Sequence, residues 1–287
     1  MNYPYMDYNG AYEYYKNKYL TLKRQPSNNM LLDIVKKYDN TKSKGGILIT
    51  QHGKTLYENY YDNTAKSQFR IFSCTKPIAG LAIMLLIDRN LLSLDTTLQQ
   101  LDIKIPNANK ITILHLLNHK SGIFDVTSSL YFDKNPKKLF EKIYKPEKNK
   151  TMLVDFDEYI KILNNNKPEY DPDEKYKYNN TGYDILGYVI YMVSKIKTTD
   201  FIKENIFDKL RMNDSTFHTH KLHNEVFPFE DQNKIGVKED YNFWGTNANI
   251  ITTLRDYDKF LNGYNSLLTV KTKQIYGQLY YFTECTS

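Results

Sequence analysis

The chain has 287 residues, a formal net charge of +6, and 41% hydrophobic against 25% charged content, which is ordinary for one large folded domain or a domain with an inserted lobe. The modest positive charge is spread out without a long basic block, which argues against a nucleic-acid partner, and the two cysteines, Cys74 and Cys285, make no disulfide framework. The start, MNYPYMDYNG, has neither a basic nor an apolar leader segment and nothing marks a membrane span, so a cytoplasmic or virion-associated protein is expected.

Residues 1–29 are rich in Tyr and Lys, with one short helix expected over Ala11–Leu22, and form an N-terminal extension. Met30–Tyr38 sets Leu31, Leu32, Ile34 and Val35 against Asp33, Lys36 and Lys37, an amphipathic helical pattern. Ile47–Thr50 and Thr55–Tyr60 read as strands joined by a turn at His52-Gly53-Lys54. The next stretch is the centre of the chain. Ser73-Cys74-Thr75-Lys76 leads into eleven uncharged residues, Pro77 to Ile87, apolar on every side. That run is far shorter than the roughly 20 apolar residues of a membrane helix, so it predicts a buried helix from Ser73 to about Asn90, with Pro77 tolerated in the first turn.

Further on, Thr112–Asn118 predicts a helix stopped by Lys120-Ser121-Gly122. Residues 126–154 are Lys-rich, with a helix expected over Lys138–Lys145. Helices follow at Asp155–Leu163, Thr181–Ser194 and Asp200–Leu210, with a loop at Pro168–Asp173. Phe217–Trp244 is irregular and polar. Thr253–Tyr264 is helical, with Thr252 and Thr253 marking its start, and Ile275–Phe282 reads as a last strand. The order predicts an α/β domain over 30–287, its α/β part at about 30–72 and 218–287 and a helical lobe at about 73–217.

Ser73 and Lys76, three apart, share the first turn of the apolar helix, where unpaired N–H groups and the dipole favour developing negative charge. A hydroxyl beside an amine there makes an activated nucleophile. For Lys76 to act as a base, its pKa must fall from about 10.4 to near 7, about 4 kcal/mol of differential stabilisation; the plain alternative is a solvated lysine. Ser194 and Lys197 repeat the spacing at the tail of a helix, where the dipole has the wrong sign for an oxyanion. Tyr178-Asn179-Asn180 lies just before the apolar helix Thr181–Ser194, where a phenol and an amide can face the Ser73 helix.

Metal chemistry finds weaker support. His218, His220 and His223 lack accompanying Asp or Cys ligands, and His115 and His119 lack the Glu of a zinc-protease helix, so both sets read as surface or capping histidines. Cys74 points about 100° away from Ser73 around the helix and reads as a buried packing thiol. No metal and no cofactor is expected, and no Gly-rich phosphate loop or Gly-x-Ser-x-Gly elbow is present.

Four segments in order, 69–95, 111–125, 173–190 with 201–217, and 246–264, resemble the serine β-lactamase and penicillin-binding-protein group, specifically its class C and esterase-like branch. The resemblance implies a β-lactamase/transpeptidase-like fold, an antiparallel sheet with packed helices and an inserted all-helical lobe. It implies Ser73 as the acylated serine, Lys76 as its motif lysine, Tyr178 as the tyrosine sharing proton transfer and Asn180 as the residue orienting a substrate amide. The activity implied is that of a serine acyl hydrolase on a β-lactam, peptide or small ester. The group's third motif, Lys-Thr-Gly or His-x-Gly on a strand beside the serine, is absent. The C-terminal strands are therefore expected to be missing, with self-association or a partner completing the sheet, and a member of the group keeping only a binding or structural role is the alternative.

Overall fold

The computed structural model describes residues 33, 35–37, 45–126, 156–217, 225–226, 229–231, 234–235 and 246–280. The helices expected over Ala11–Leu22 and Lys138–Lys145 and the 218–223 histidines lie outside the described residues, while residues 33 and 35–37 are helical as expected.

β1 (Gly45–Gln51) and β2 (Lys54–Tyr61) form an antiparallel hairpin. Its two-residue turn uses positive φ at His52 (51°) and Gly53 (74°), the conformation that matches the twist of the flanking strands. The hairpin leans on a later helix, α6 (Leu254–Gly263). Arg255 forks onto both Glu58 carboxylate oxygens at 2.7 and 3.0 Å, and Thr50 Oγ1 donates to Asp258 at 2.5 Å.

β3 (Gln68–Arg70) joins a four-stranded sheet with β4 (Thr216–Phe217), β5 (Glu225–Val226) and β8 (Ile250–Thr252), in the order β4-β8-β3-β5. β6 (Phe229–Asp231) and β7 (Lys234–Ile235) pair separately. β3 is antiparallel to β8, so the segment entering the Ser73 turn lies beside the segment leading into α6.

The core is built on α1 (Thr75–Asp88), in which every residue from Thr75 to Leu86 is buried. Ile78, Leu81, Ile83, Met84 and Leu86 have no exposure at all. Each such side chain contributes about 1.5–3 kcal/mol relative to an exposed one. Around α1 lie α2 (Ile113–Leu117), α3 (Phe156–Asn164), α4 (Asn180–Ser194) and α5 (Thr198–Ile202), which runs on into a π-type turn at Lys203–Phe207. The expected hairpin, buried central helix and helices at 113–117, 156–164, 180–194 and 254–263 are all present.

The closing element differs from expectation. Residues Val270–Tyr280 form a helix, α7, where a strand was expected over Ile275–Phe282; residues 281–282 lie outside the described part. The Ile, Tyr and Phe content favours a strand by propensity, but burial follows a helical period. Thr272 and Tyr276, four apart, are buried, and Ile275 and Leu279 pack on the core. The start of α7 is anchored to the end of α1. Asp88 accepts hydrogen bonds from the Thr269 amide at 3.0 Å, the Thr269 hydroxyl at 2.6 Å and the Thr272 hydroxyl at 2.8 Å. A carboxylate suits the positive end of α7. Tyr276 OH donates to the Pro77 carbonyl at 2.8 Å, tying α7 to the first turn of α1. Tertiary contacts here override a weak strand preference.

Candidate active site

The Ser73 turn is made by a sharp change of direction between β3 and α1. Phe72 takes φ 41°, a left-handed conformation costly for a bulky residue, and Phe72–Cys74 form a 3-10 turn before α1 begins at Thr75. The turn is held to the sheet. Ile71 N donates to Ile250 O at 3.1 Å, and Ile250 N donates to Thr75 Oγ1 at 3.2 Å. Ser73 is thereby left exposed at the head of a helix that is buried from Thr75 to Leu86.

Tyr178 is held in place from behind. The loop carrying it rests on the turn after α2, where His119 has φ 57° and Gly122 φ 68°. Gly122 has to be glycine there on a second count, since a Cβ would stand 2.0 Å from the Tyr170 carbonyl oxygen. The His119 ring lies against the Tyr178 ring with centroids 4.6 Å apart, and Asn179 N donates to His119 Nδ1 at 3.1 Å. Asn179 also caps α4, accepting from Gly182 N at 2.9 Å.

These two supports bring the four predicted residues together. Ser73 Oγ and Tyr178 OH are 2.6 Å apart. Lys76 Nζ donates to Ser73 Oγ at 3.1 Å, to Asn180 Oδ1 at 2.8 Å and to the Asn247 carbonyl at 3.1 Å, and lies 4.8 Å from the centre of the Tyr178 ring. Lys76 is only 2% exposed. Burial pulls its pKa down to about 7, against the opposing pull of the Asp184 and Asp125 carboxylates. Burial raises the Tyr178 phenol, while its bond to Ser73 works in the other direction.

The lysine's partners carry a chemical consequence. The ammonium form has three N–H donors, and three acceptors surround it. When one proton leaves, the lone pair needs a donor. The Asn247 backbone carbonyl cannot provide one and Asn180 presents its oxygen, so in this arrangement the Ser73 hydroxyl is the partner that can turn round and donate. Neutral Lys76 therefore points its free pair at Ser73.

Three other readings are decided by the same geometry. Among the described residues, Ser194 hydrogen-bonds within its own turn, to Ile196 N at 3.1 Å and Ile196 O at 3.3 Å, and the second Ser-x-x-Lys makes no hydrogen bond to Ser73, Lys76 or Tyr178. His115 caps α2, its Nδ1 accepting from Thr112 N at 3.3 Å. His119 is neither a surface nor a capping residue: it is 4% exposed and its pKa falls to about 3, chiefly through burial and then through the charge of Lys76. Cys74 is half-buried and disulfide-bonded rather than a buried packing thiol. Among the described residues, no group of three or more His, Cys, Asp or Glu could hold a metal ion, and no helix is long and apolar enough to cross a membrane.

Sequence reasoning missed Asn247 and Asp184. Asn247 is fully buried, and its side-chain amide donates to both oxygens of Asp184 at 2.8 Å. Asp184 also accepts from Tyr159 OH at 2.9 Å. Burial raises its pKa to about 7, offset in part by those hydrogen bonds. The available signal was Asp184 itself, the one charged residue in α4. Beside Ser73 opens a cavity of about 430 Å³ whose wall is mostly apolar, with Phe69, Ile71, Leu254 and Tyr257, and also carries Arg70 and Thr252.

Comparison with known proteins gives a consistent result. The family model described as Beta-lactamase matches residues 34–280. The chain is 28% identical over 188 residues to Penicillin-binding protein 4* of Bacillus subtilis (strain 168), covering 62% of this chain and 39% of that protein. It thus spans well under half the length of that relative. A penicillin binding protein from Bacillus halodurans has a similar structure, with a TM-score of 0.66 at 22% identity over 82% of this chain and 74% of that one. D-amino acid amidase from Ochrobactrum anthropi SV3 gives 0.61 at 22% identity over 85% and 71%. At these identities the structural likeness speaks for the fold alone.

Proposed function

The chain belongs to the Beta-lactamase family, and from that premise we propose that it is a serine acyl hydrolase attacking an amide or ester carbonyl through Ser73. The observation that carries this reading is the contact of Ser73 Oγ with both Lys76 Nζ and Tyr178 OH. Neutral Lys76 takes the Ser73 proton as Oγ bonds to the carbonyl carbon. The Tyr178 phenol, raised and so protonated at neutral pH, gives its proton to the departing nitrogen or oxygen and is restored from the Lys76 ammonium. Water then enters where the leaving group left, giving up a proton along the same route, and frees the acid and Ser73. A positioned general base contributes about 10²–10⁴ in rate.

The developing oxyanion is served by the Ser73 backbone N–H at the positive end of α1. Asn180, already accepting from Lys76, lies where it can orient a substrate amide. The mostly apolar lining of the cavity beside Ser73 favours a substrate with a hydrophobic side chain or acyl group. The names of the relatives, a penicillin-binding protein and an amidase, fit a small amide, peptide or β-lactam.

A second reading is a binding protein that keeps the fold with little turnover. A fluorophosphonate or fluorescent penicillin probe separates the two. Covalent labelling of wild type but not of Ser73→Ala supports the hydrolase, and absence of labelling in folded wild-type protein supports the binding role.

A further inference from the structure

We propose that Asp184 is a positioning residue for Lys76, its carboxylate clamping the Asn247 side chain so that the Asn247 carbonyl is fixed against Lys76 Nζ. The inference rests on the reading of Lys76 as the base and adds a residue to it.

The argument starts from α4. Asn180 and Asp184 are four residues apart and therefore lie on one face of the helix. Asn180 reaches Lys76 directly at 2.8 Å. One turn deeper, Asp184 meets the Asn247 amide, which donates to both carboxylate oxygens at 2.8 Å. The same residue's backbone oxygen then accepts from Lys76 Nζ at 3.1 Å. One helix face thus holds the lysine at two of its three partners, once by contact and once through Asn247.

A carboxylate has a heavy desolvation cost at such a position. Asp184 is 2% exposed inside an otherwise uncharged helix, and a leucine or methionine would fill similar space. Its acceptors are used by Asn247 and by Tyr159 OH at 2.9 Å. What the carboxylate gains over an apolar side chain is a grip on Asn247 and a negative charge near Lys76. The charged and titratable groups facing Lys76 are Asp184 and Tyr183 from α4, Asp125 and His119 from the segment after α2, and Tyr178 from the loop before α4. Of these, Asp184 is the anion that opposes the burial of Lys76 most strongly. Two buried groups so placed titrate as a coupled pair.

The test reads Lys76 itself. In ¹³C-lysine-labelled protein the Lys76 ε-carbon is assigned by its loss in Lys76→Arg and titrated with pH. Removing the anion disfavours the ammonium, so in Asp184→Asn the midpoint is expected about one pH unit lower than in wild type, and the acid limb of kcat/KM moves with it while KM holds. A midpoint unchanged in folded Asp184→Asn overturns the proposal, even if the melting temperature falls, since a purely structural role lowers stability without moving the titration. Should Asp184→Asn not fold, Tyr159→Phe removes one donor to the carboxylate and keeps the ring. It must then move the midpoint downward by a smaller amount, and no movement overturns the proposal. The titration needs no turnover. If wild type fails to label with acylating probes while the midpoint still shifts, the hydrolase reading falls and the positioning role stands.

Discussion

Tyr178 OH stands 2.6 Å from Ser73 Oγ, although 105 residues separate them and neither is buried enough to be fixed by packing alone. The contact is maintained from both ends. The strained φ of Phe72 projects Ser73 from the β3–α1 turn, and the buried His119 ring backs the Tyr178 ring. The pair is thus supported from both sides, the placement that the proposed proton transfer needs.

Tyr178→Phe removes the hydroxyl and keeps the ring on His119. The variant is expected to fold with unchanged circular dichroism and to lose about 10²–10⁴ in kcat on a turned-over ester or amide, with KM little altered. Equal turnover in the two proteins would remove Tyr178 from the reaction.

The pH dependence follows from Lys76. Attack requires the neutral amine, so kcat/KM should rise with pH through an apparent pKa near 7, where burial places this lysine. It should stay high until the Tyr178 phenol, raised above its usual 10, ionises. Lys76→Arg keeps the charge but does not titrate in this range, and is expected to lose both the rate and the limb. A pH–rate profile between 5 and 10 checks both.

Replacing Lys76 should move stability the other way from activity. The Lys76 pKa falls from 10.5 in the unfolded chain to about 7 in the folded protein. Its folded value is depressed, so the unfolded chain holds a proton between pH 7 and 10.5 that the folded one lacks. Stability from this group therefore rises with pH across that window by about 1.4 kcal/mol per pH unit. It is lost as pH falls through 7. Lys76→Met has no such slope and no buried cation, and is expected to be inactive but more stable than wild type. The gap should be larger at pH 7.5 than at pH 9.5 in urea denaturation.

Gly187 marks a close approach between α4 and the segment holding Asn247. A Cβ there would lie 1.8 Å from Thr246 Oγ1 and 2.9 Å from Thr246 Cβ. Alanine is the better helix former by about 1 kcal/mol, yet Gly187→Ala should destabilise by about 1–3 kcal/mol through the clash. Displacing Thr246 shifts Asn247, the third partner of Lys76, so kcat should fall as well. Thr246→Ala in the same chain removes the obstructing atoms and should restore part of the stability, a coupling that a double-mutant cycle measures.

Much of this was legible from residues alone because local rules and tertiary structure agree. The uncharged run after Lys76 can only be a buried helix, and His52-Gly53 between β-rich runs makes a hairpin turn. Tyr178-Asn179-Asn180 sits at the head of α4, where Asn179 caps the helix and leaves its neighbours facing α1. The α7 stretch misled because propensity is weak beside packing. Only the fold shows that Asp88, 181 residues before Thr269, provides the N-terminal anchor of that helix. His119 and Asn247 were hidden for a similar reason. Each acts through a contact with a distant segment, His119 by backing Tyr178 and Asn247 by receiving Lys76 and Asp184, and no local pattern marks such a role. The sequence by itself determined that Ser73 and Lys76 lie at the start of one buried helix and Tyr178 and Asn180 at the start of another, through helix position and spacing. Tertiary structure alone decided that Lys76 is buried deeply enough to titrate near neutrality, because desolvation depends on every segment that closes over it.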